Sequence, residues 1–214
     1  MAASPPDNPA DRGWSLRFLR NALLWLAPVW LVWTLLTPAY NRFLLGATEN
    51  LLHLFESPDV TDLARHPSSR HEAYIVRRDF PPKRSLVRQL RVTDLHFHFV
   101  LLGSLFLAVP GLPWRKRLEN FGLACLATVF FDLLLFAVWV KSVYATQLGD
   151  WSLAHYGPAA RNLYGLAKHL LDLPFKLALP LLLWAGFYLG MLLGEPPPPP
   201  SPAARIQGTS RRKR

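Results

Sequence analysis

Two histidines one residue apart, His96 and His98, begin an apolar run and have the spacing of a metal-binding pair. On a β-strand, residues i and i+2 share a face, whereas on an α-helix they point about 200° apart. The run stays apolar as far as Val109, which favours a helix, and no third ligand stands at a familiar spacing. We therefore predict no metal site and interpret both histidines as polar residues at the boundary between water and lipid.

Asp132 is a carboxylate within the apolar sequence "VFFDLLLF". A bare charge inside a bilayer costs several kcal/mol, so such a residue must face other helices and find a partner there. Depth along antiparallel helices predicts three candidate partners. Two interpretations stay open: a carboxylate that handles protons or grips a substrate, and a hydrogen bond that only fixes helix packing. The candidate partners are His98, Ser104 and Lys176.

Cys125 is the only thiol, and no histidine or arginine lies in the same apolar block to lower its pKa. The chain also lacks a nucleophile elbow, a phosphate-binding glycine loop and a zinc-protease histidine pair. We therefore expect a buried structural cysteine, no catalytic residue and no cofactor.

The elements that carry these residues are four apolar blocks. Half of the chain is hydrophobic, eight residues are Trp, and each block is apolar on every face. About 20 mostly apolar residues are needed to cross the roughly 30 Å of a hydrocarbon core as a helix. The sequence predicts a mainly α, four-helix integral membrane protein, with spans at 22–38, 95–112, 121–140 and 174–193.

The connections between the spans differ in character. Segment 39–94 predicts an amphipathic helix, or a bent extension of the first span beyond Pro38. A loop over "SPDVTDLARHPSS" and a β-hairpin around "DFPPKR" follow. Segment 141–173 predicts an interfacial helix that starts near Pro158. The remaining segments are a disordered leader, a basic turn and a Pro-rich basic tail, at 1–21, 113–120 and 194–214.

The net charge of +10 is interpreted as membrane topology rather than as nucleic-acid binding, because basic residues mark the cytoplasmic ends of spans. The basic turn then places both termini in the cytoplasm, and its determinants are Arg115, Lys116 and Arg117. A second basic group surrounds the predicted hairpin. It is either a solvated face near lipid headgroups or a docking surface for a partner, and comprises Arg77, Arg78, Lys83, Arg84, Arg88 and Arg91.

Three stretches carry a family resemblance: "HFHFVLLGSLFLAVPGLPWRKRL", "FDLLLFAVWVKSVYATQ" and "RNLYGLAKHLLDLPFKLALPLLLW". With the order of spans, they resemble the exosortase-associated membrane proteins, particularly those that accompany exosortase H. The resemblance implies a bacterial inner-membrane accessory of a protein-sorting system, with a sorting enzyme as partner.

Exosortases themselves are similar to proteases with Cys, Arg and His on the outer side of the membrane. Cys125 is expected near the cytoplasmic third of its span without those neighbours, so the accessory role is favoured over the enzyme. The alternative is a small transporter or intramembrane enzyme organised around Asp132.

Overall fold

A computed structural model describes residues 9–56, 59–67, 69, 71–79 and 86–192 of the chain. This part is mainly helical and holds a small antiparallel sheet of three strands. A 3-10 turn and a π-helical turn join some of the regular elements, at Val92–Leu95 and Leu171–Phe175. The regular elements are α1 Pro9–His53, β1 Thr61–Arg65, β2 Glu72–Arg77, β3 Leu86–Arg91, α2 His98–Ala108, α3 Trp114–Thr146, α4 Asp150–His155, α5 Pro158–Leu170 and α6 Lys176–Leu192.

Three helical segments are long and apolar enough to cross a membrane: Gly13–His53, Trp114–Thr146 and Pro158–Leu189. The second predicted span is helical only over the 11 residues of α2, about 16 Å at 1.5 Å per residue. Alone it is shorter than a hydrocarbon core of about 30 Å. The structure thus confirms a mainly α chain with long apolar helices, but it shows three of them beside one short, deeply buried helix.

The first predicted span belongs to a much longer helix. α1 continues through Pro28 and Pro38 to His53, so the sequence expected as a separate amphipathic helix takes the alternative form of an extension. The reason is the stripe of buried residues beyond Pro38, which packs on the strands and on α3 and stabilises those turns: Leu44, Leu45, Thr48 and Leu52.

The sheet has the strand order β1-β2-β3 with antiparallel neighbours. β2 and β3 form the predicted hairpin, and its predicted turn lies outside the described residues. The prediction of a loop over 57–69 was wrong for β1. Thr61 and Leu63 are buried, while the residues between and after them are more exposed. This is the alternation of a half-buried strand. The sequence suggested a loop because a proline stands on each side of it.

The fourth predicted span is joined to the helix before it. α5 starts with Pro158 at its first turn, as expected, and runs through the π-helical turn into α6. Pro174 lies inside that turn. Because a proline lacks a backbone N–H, it is better tolerated where the hydrogen-bond ladder is already irregular. The predicted interfacial helix is therefore continuous with the span.

The described residues form two hydrophobic clusters. One joins the sheet to the end of α1 and the second half of α3, and includes Leu52, Ile75, Leu90 and Phe136. We define the cap as residues 44–56, strands β1–β3 with Asp79 after β2, residues 135–146 of α3, and α4. The other cluster lies between α2, α3 and α6, and includes Phe99, Leu102, Phe106 and Tyr188. We call the helices outside the cap the helical half.

Candidate functional site

The predicted carboxylate site forms from three helices. Asp132 of α3 is fully buried, and its Oδ2 accepts a hydrogen bond of 2.7 Å from the Tyr40 hydroxyl of α1. His98 of α2 places Nε2 3.3 Å from Asp132 Oδ1, without the alignment of a hydrogen bond. The predicted pairing of Asp132 with His98 is thus present. Tyr40 was missed, although a polar pair, Tyr40 and Asn41, directly after an apolar run was a usable signal.

The other two predicted partners do not reach Asp132. The Ser104 hydroxyl donates to the Val100 carbonyl one turn earlier in α2. Lys176 donates to Asp172 Oδ1 at 2.7 Å and to the Asp94 carbonyl at 3.0 Å, so its ammonium group ties the start of α6 to the turn before α2. Both residues are buried, and their hydrogen bonds are structural.

The two histidines contact different groups, and only His98 is helical, because His96 lies in the turn before α2. His96 is buried, and its Nε2 donates to Asn41 Oδ1 at 2.6 Å. Its ring meets the edges of Trp33 and Tyr40. Both histidines therefore contact groups inside the protein: His96 contacts Asn41 of α1, and His98 contacts Asp132 of α3. They are not lip residues facing water, which was the sequence interpretation, because α1 covers this end of α2.

The six residues of the predicted basic surface separate into different roles. Arg77 and Arg78 hold bidentate pairs with Asp79 and Asp62. Arg88 donates to Gln147 and lies over the Trp139 ring at 5.9 Å. Arg91 is exposed on β3. The other two, Lys83 and Arg84, lie outside the described residues.

Arg77 is the centre of a clamp between the sheet and α3. Its guanidinium lies 4.6 Å from the Tyr144 ring centroid and 4.5 Å from that of Trp151, between two electron-rich faces that attract a cation. Burial alone would lower the pKa of Arg77, but the hydrogen bond and charge of Asp79 outweigh it and raise that pKa. The same hydrogen bond lowers the pKa of Asp79. Arg77 is therefore a fixed structural cation.

A second ion pair, which is half-buried, lies beside the first. Lys141 of α3 donates to Glu56 Oε1 at 2.7 Å, and Thr61 of β1 donates to the same carboxylate at 2.8 Å. Burial alone would raise the pKa of Glu56, but these two donors outweigh it and lower that pKa. The Thr61 hydroxyl is also 2.9 Å from that of Tyr144. One network thus joins α1, β1 and α3.

The clamp borders an open cavity of about 400 Å³. Its lining carries equal numbers of Arg or Lys and of Glu or Asp side chains, and the four are already paired with each other. A ligand would have to break one of those pairs, so the cavity does not offer a free charge. The lining residues are Glu56, Val60, Arg77, Asp79, Lys141, Trp151, His155 and Tyr156.

One group of side chains has the composition of a metal site. Glu49, His53 and Asp62 offer ligand atoms within 4.8 Å of one another. All three are engaged: Glu49 accepts from the Leu63 N–H, His53 Nε2 donates to the Thr61 carbonyl, and both Asp62 oxygens bind Arg78. A cation would compete with these bonds, and their present role is to attach β1 to α1.

The remaining residues singled out from the sequence are Cys125 and the three basic residues of the turn between α2 and α3. Cys125 is half-buried and lines an apolar cavity between α1, α2 and α3, away from the ion pairs of the cap. Arg117 donates to the Leu107 and Leu112 carbonyls and so caps the end of α2. Arg115 is exposed and pairs with Glu119 one turn later. Lys116 is also exposed.

Comparison with known proteins gives no homologue. No family model matches the chain, and neither the curated proteins nor the solved structures contain a match to it. The function is therefore argued from the geometry described above.

Proposed function

We propose that the chain is an integral membrane protein in which α1, α3 and the joined α5 and α6 cross the bilayer, with α2 enclosed between them as a fourth, shorter membrane segment. The support is the exposure of large apolar side chains. Only 6% of the most apolar window of α1 is buried inside the protein. Leu23, Leu31 and Leu35 are more than half exposed, and lipid is the solvent that such a surface requires.

The proposed location is the bacterial inner membrane, with both termini in the cytoplasm and the cap outside. The basic turn between α2 and α3 supports this orientation through the positive-inside rule. A reporter that fluoresces only in the cytoplasm, fused to the C-terminus, is expected to fluoresce in membranes washed with carbonate. A fusion that is stably produced but does not fluoresce would indicate the opposite orientation.

Within the membrane we propose a non-enzymatic accessory role in an exosortase-type protein-sorting system. The cap would bind the sorting enzyme or its substrate. The observation that carries this proposal is the clamp of Arg77 together with the ion pair of Glu56 and Lys141. These contacts attach the sheet and the segment after α1 to α3 and α4 as a firm platform. Arg91 and Arg88 project from β3 of that platform, where an acidic partner could reach them.

The test is affinity capture from membranes with the cap intact. The variant Arg88→Gln with Arg91→Gln is expected to lose an acidic partner, and the matched Arg88→Lys with Arg91→Lys to retain it, because the charge remains. Identification of a multi-span sorting enzyme among the captured proteins would support the proposal. If both variants capture the partner equally well, Arg88 and Arg91 do not form its binding surface.

The second candidate function is a small transporter or intramembrane enzyme organised around Asp132. The observation that favours it is the buried contact of Asp132 with His98 and Tyr40 from two other helices. Asp132→Asn keeps an acceptor for Tyr40 but cannot carry a negative charge. If partner capture and export of sorted proteins survive in this variant, Asp132 is a packing residue and this candidate fails.

A further inference from the structure

Two cavities on one face of α1 are not used by the proposed partner surface. The larger, about 620 Å³, lies between α1 and the turn that joins β1 to β2. Arg42 and Arg65 line it, both are exposed, and neither has a hydrogen-bond or ionic partner in the part of the chain that the structure describes. Glu72 also lines it, with its carboxylate accepting from Gln89. The cavity thus holds two unpaired cations and one occupied carboxylate.

The smaller cavity, about 140 Å³, is an apolar cleft between α1 and the start of α2. Trp30, Trp33, Phe97 and Val100 supply most of its walls. Three threonines and His71 also line it: Thr34 and Thr37 donate to carbonyls one turn earlier in α1, and Thr93 is hydrogen-bonded to His71. Those donors are therefore already used, and the cleft suits an apolar occupant.

The two cavities follow the same face of α1. The residues that line them stand four, three, four and four positions apart, which is the spacing of one helical face: Trp30, Thr34, Thr37, Asn41 and Leu45. Fifteen residues of helix measure about 22 Å. That length is close to half of a bilayer with its headgroups, which is about 40–45 Å thick in total. The two cavities together therefore span about one lipid length, with the polar cavity at one end and the apolar cleft at the other.

We propose that these cavities bind one membrane phospholipid with an anionic headgroup. The phosphate would meet Arg42 and Arg65, because guanidinium groups bind phosphate through paired, charge-assisted hydrogen bonds. An acyl chain would lie along the cleft of Trp30 and Trp33. The unpaired second arginine favours an anionic lipid over a zwitterionic one. This inference rests on the membrane insertion proposed above and does not depend on the sorting partner.

The test is native mass spectrometry of the full chain in detergent micelles. Dioleoyl phosphatidylglycerol is expected to bind as a single molecule about tenfold more tightly than dioleoyl phosphatidylcholine, since one charge-assisted contact is worth about that factor. Glycerol 3-phosphate, which carries a similar phosphate without acyl chains, is expected not to displace the bound lipid at hundredfold excess. Displacement would show a soluble phosphate site and would overturn the lipid assignment.

Matched variants assign the two ends of the lipid. Arg42→Gln and Arg65→Gln are each expected to lower the phosphatidylglycerol affinity about tenfold, and Arg20→Gln, at the other end of the same helix, to leave it unchanged. Thr34→Phe fills the cleft and is expected to weaken both lipids, whereas Thr34→Val is not.

Equal affinity for the two lipids, or an Arg20→Gln loss as large as that of Arg42→Gln, would overturn the site while leaving membrane insertion intact. If the chain instead stays monodisperse in buffer without detergent, that result would contradict both the proposed membrane insertion and the lipid site.

Discussion

The cap and the helical half stabilise their buried polar groups by different means. In the cap, charged side chains form ion pairs that are flanked by aromatic rings, as Arg77 is by Tyr144 and Trp151. In the helical half, the buried hydroxyls of Ser104 and Thr128 donate to carbonyls one turn earlier in their own helices. Asp132 and Asn41 instead accept hydrogen bonds from other elements, Asp132 from Tyr40 and Asn41 from His96.

The difference follows from the surroundings of each region. The cap buries its apolar residues against other protein, so full charges at its edge keep access to water and to each other. The helical half leaves large apolar residues exposed along α1, α3 and α6. In the proposed membrane arrangement, an unpaired charge there would face lipid at high cost. The cap therefore relies on long-range ionic contacts, whereas the helical half combines local hydrogen bonds with a few hydrogen bonds between its elements.

The largest expected effect comes from removing the centre of the clamp. Arg77→Ala leaves Asp79 without its partner and removes two cation–π contacts, so we expect the cap to lose about 3 kcal/mol of stability. The matched control is Arg78→Ala, because Arg78 also holds a bidentate pair, with Asp62, but is 62% exposed. Chemical unfolding in detergent, followed by Trp fluorescence, measures both. A loss for Arg78→Ala as large as that for Arg77→Ala would contradict the clamp.

The next effect tests helix packing in the helical half. A Cβ on Gly103 of α2 would lie 2.8 Å from Val29 Cγ1 of α1. Gly103→Ala is therefore expected to cost about 2 kcal/mol through overpacking. Val29→Ala in the same chain should recover most of that loss. Gly122→Ala is the control, since an added Cβ meets nothing within 4 Å there. An unchanged midpoint for Gly103→Ala would show that α1 and α2 separate easily.

A smaller effect measures one long-range hydrogen bond of the helical half, that of Tyr40 with Asp132. Tyr40→Phe keeps the ring and removes the donor to Asp132, so we expect a loss of about 1 kcal/mol. Tyr74→Phe is the control, because the Tyr74 hydroxyl has no hydrogen-bond partner among the described residues. If the two variants unfold at the same denaturant concentration, Asp132 does not depend on Tyr40.

The smallest expected effect is the pH dependence of the cap. The pKa of Glu56 in the folded chain lies below its ordinary value of 4.5, so its contribution to stability is present at neutral pH. That contribution is lost as the pH falls from about 4.5 through the folded pKa. Unfolding midpoints measured from pH 7 downward should show this loss in the parent chain, and a smaller one in Glu56→Gln. Parallel curves for the two chains would contradict the assignment.

The success of the sequence predictions differed between local and long-range features. Apolar blocks predicted the long helices, and alternation predicted β2 and β3, because both signals lie within one element. β1 was missed because two prolines at its ends suggested a loop, although Thr61 and Leu63 carried the alternation. Depth suggested both His98 and Ser104 as candidate partners of Asp132, and of these two only His98 lies beside it. Lys176, another candidate, instead pairs with Asp172, one turn earlier in the chain.

Local chemistry along the chain determined which segments are helical and apolar and which polar residues need partners. Only the tertiary structure decided which partner each one takes. Tyr40 and Asp132, or Glu56 and Lys141, are more than 80 positions apart, and no periodicity spans that distance. Their meeting depends on how α1 and α3 pack, which is a property of many side chains at once.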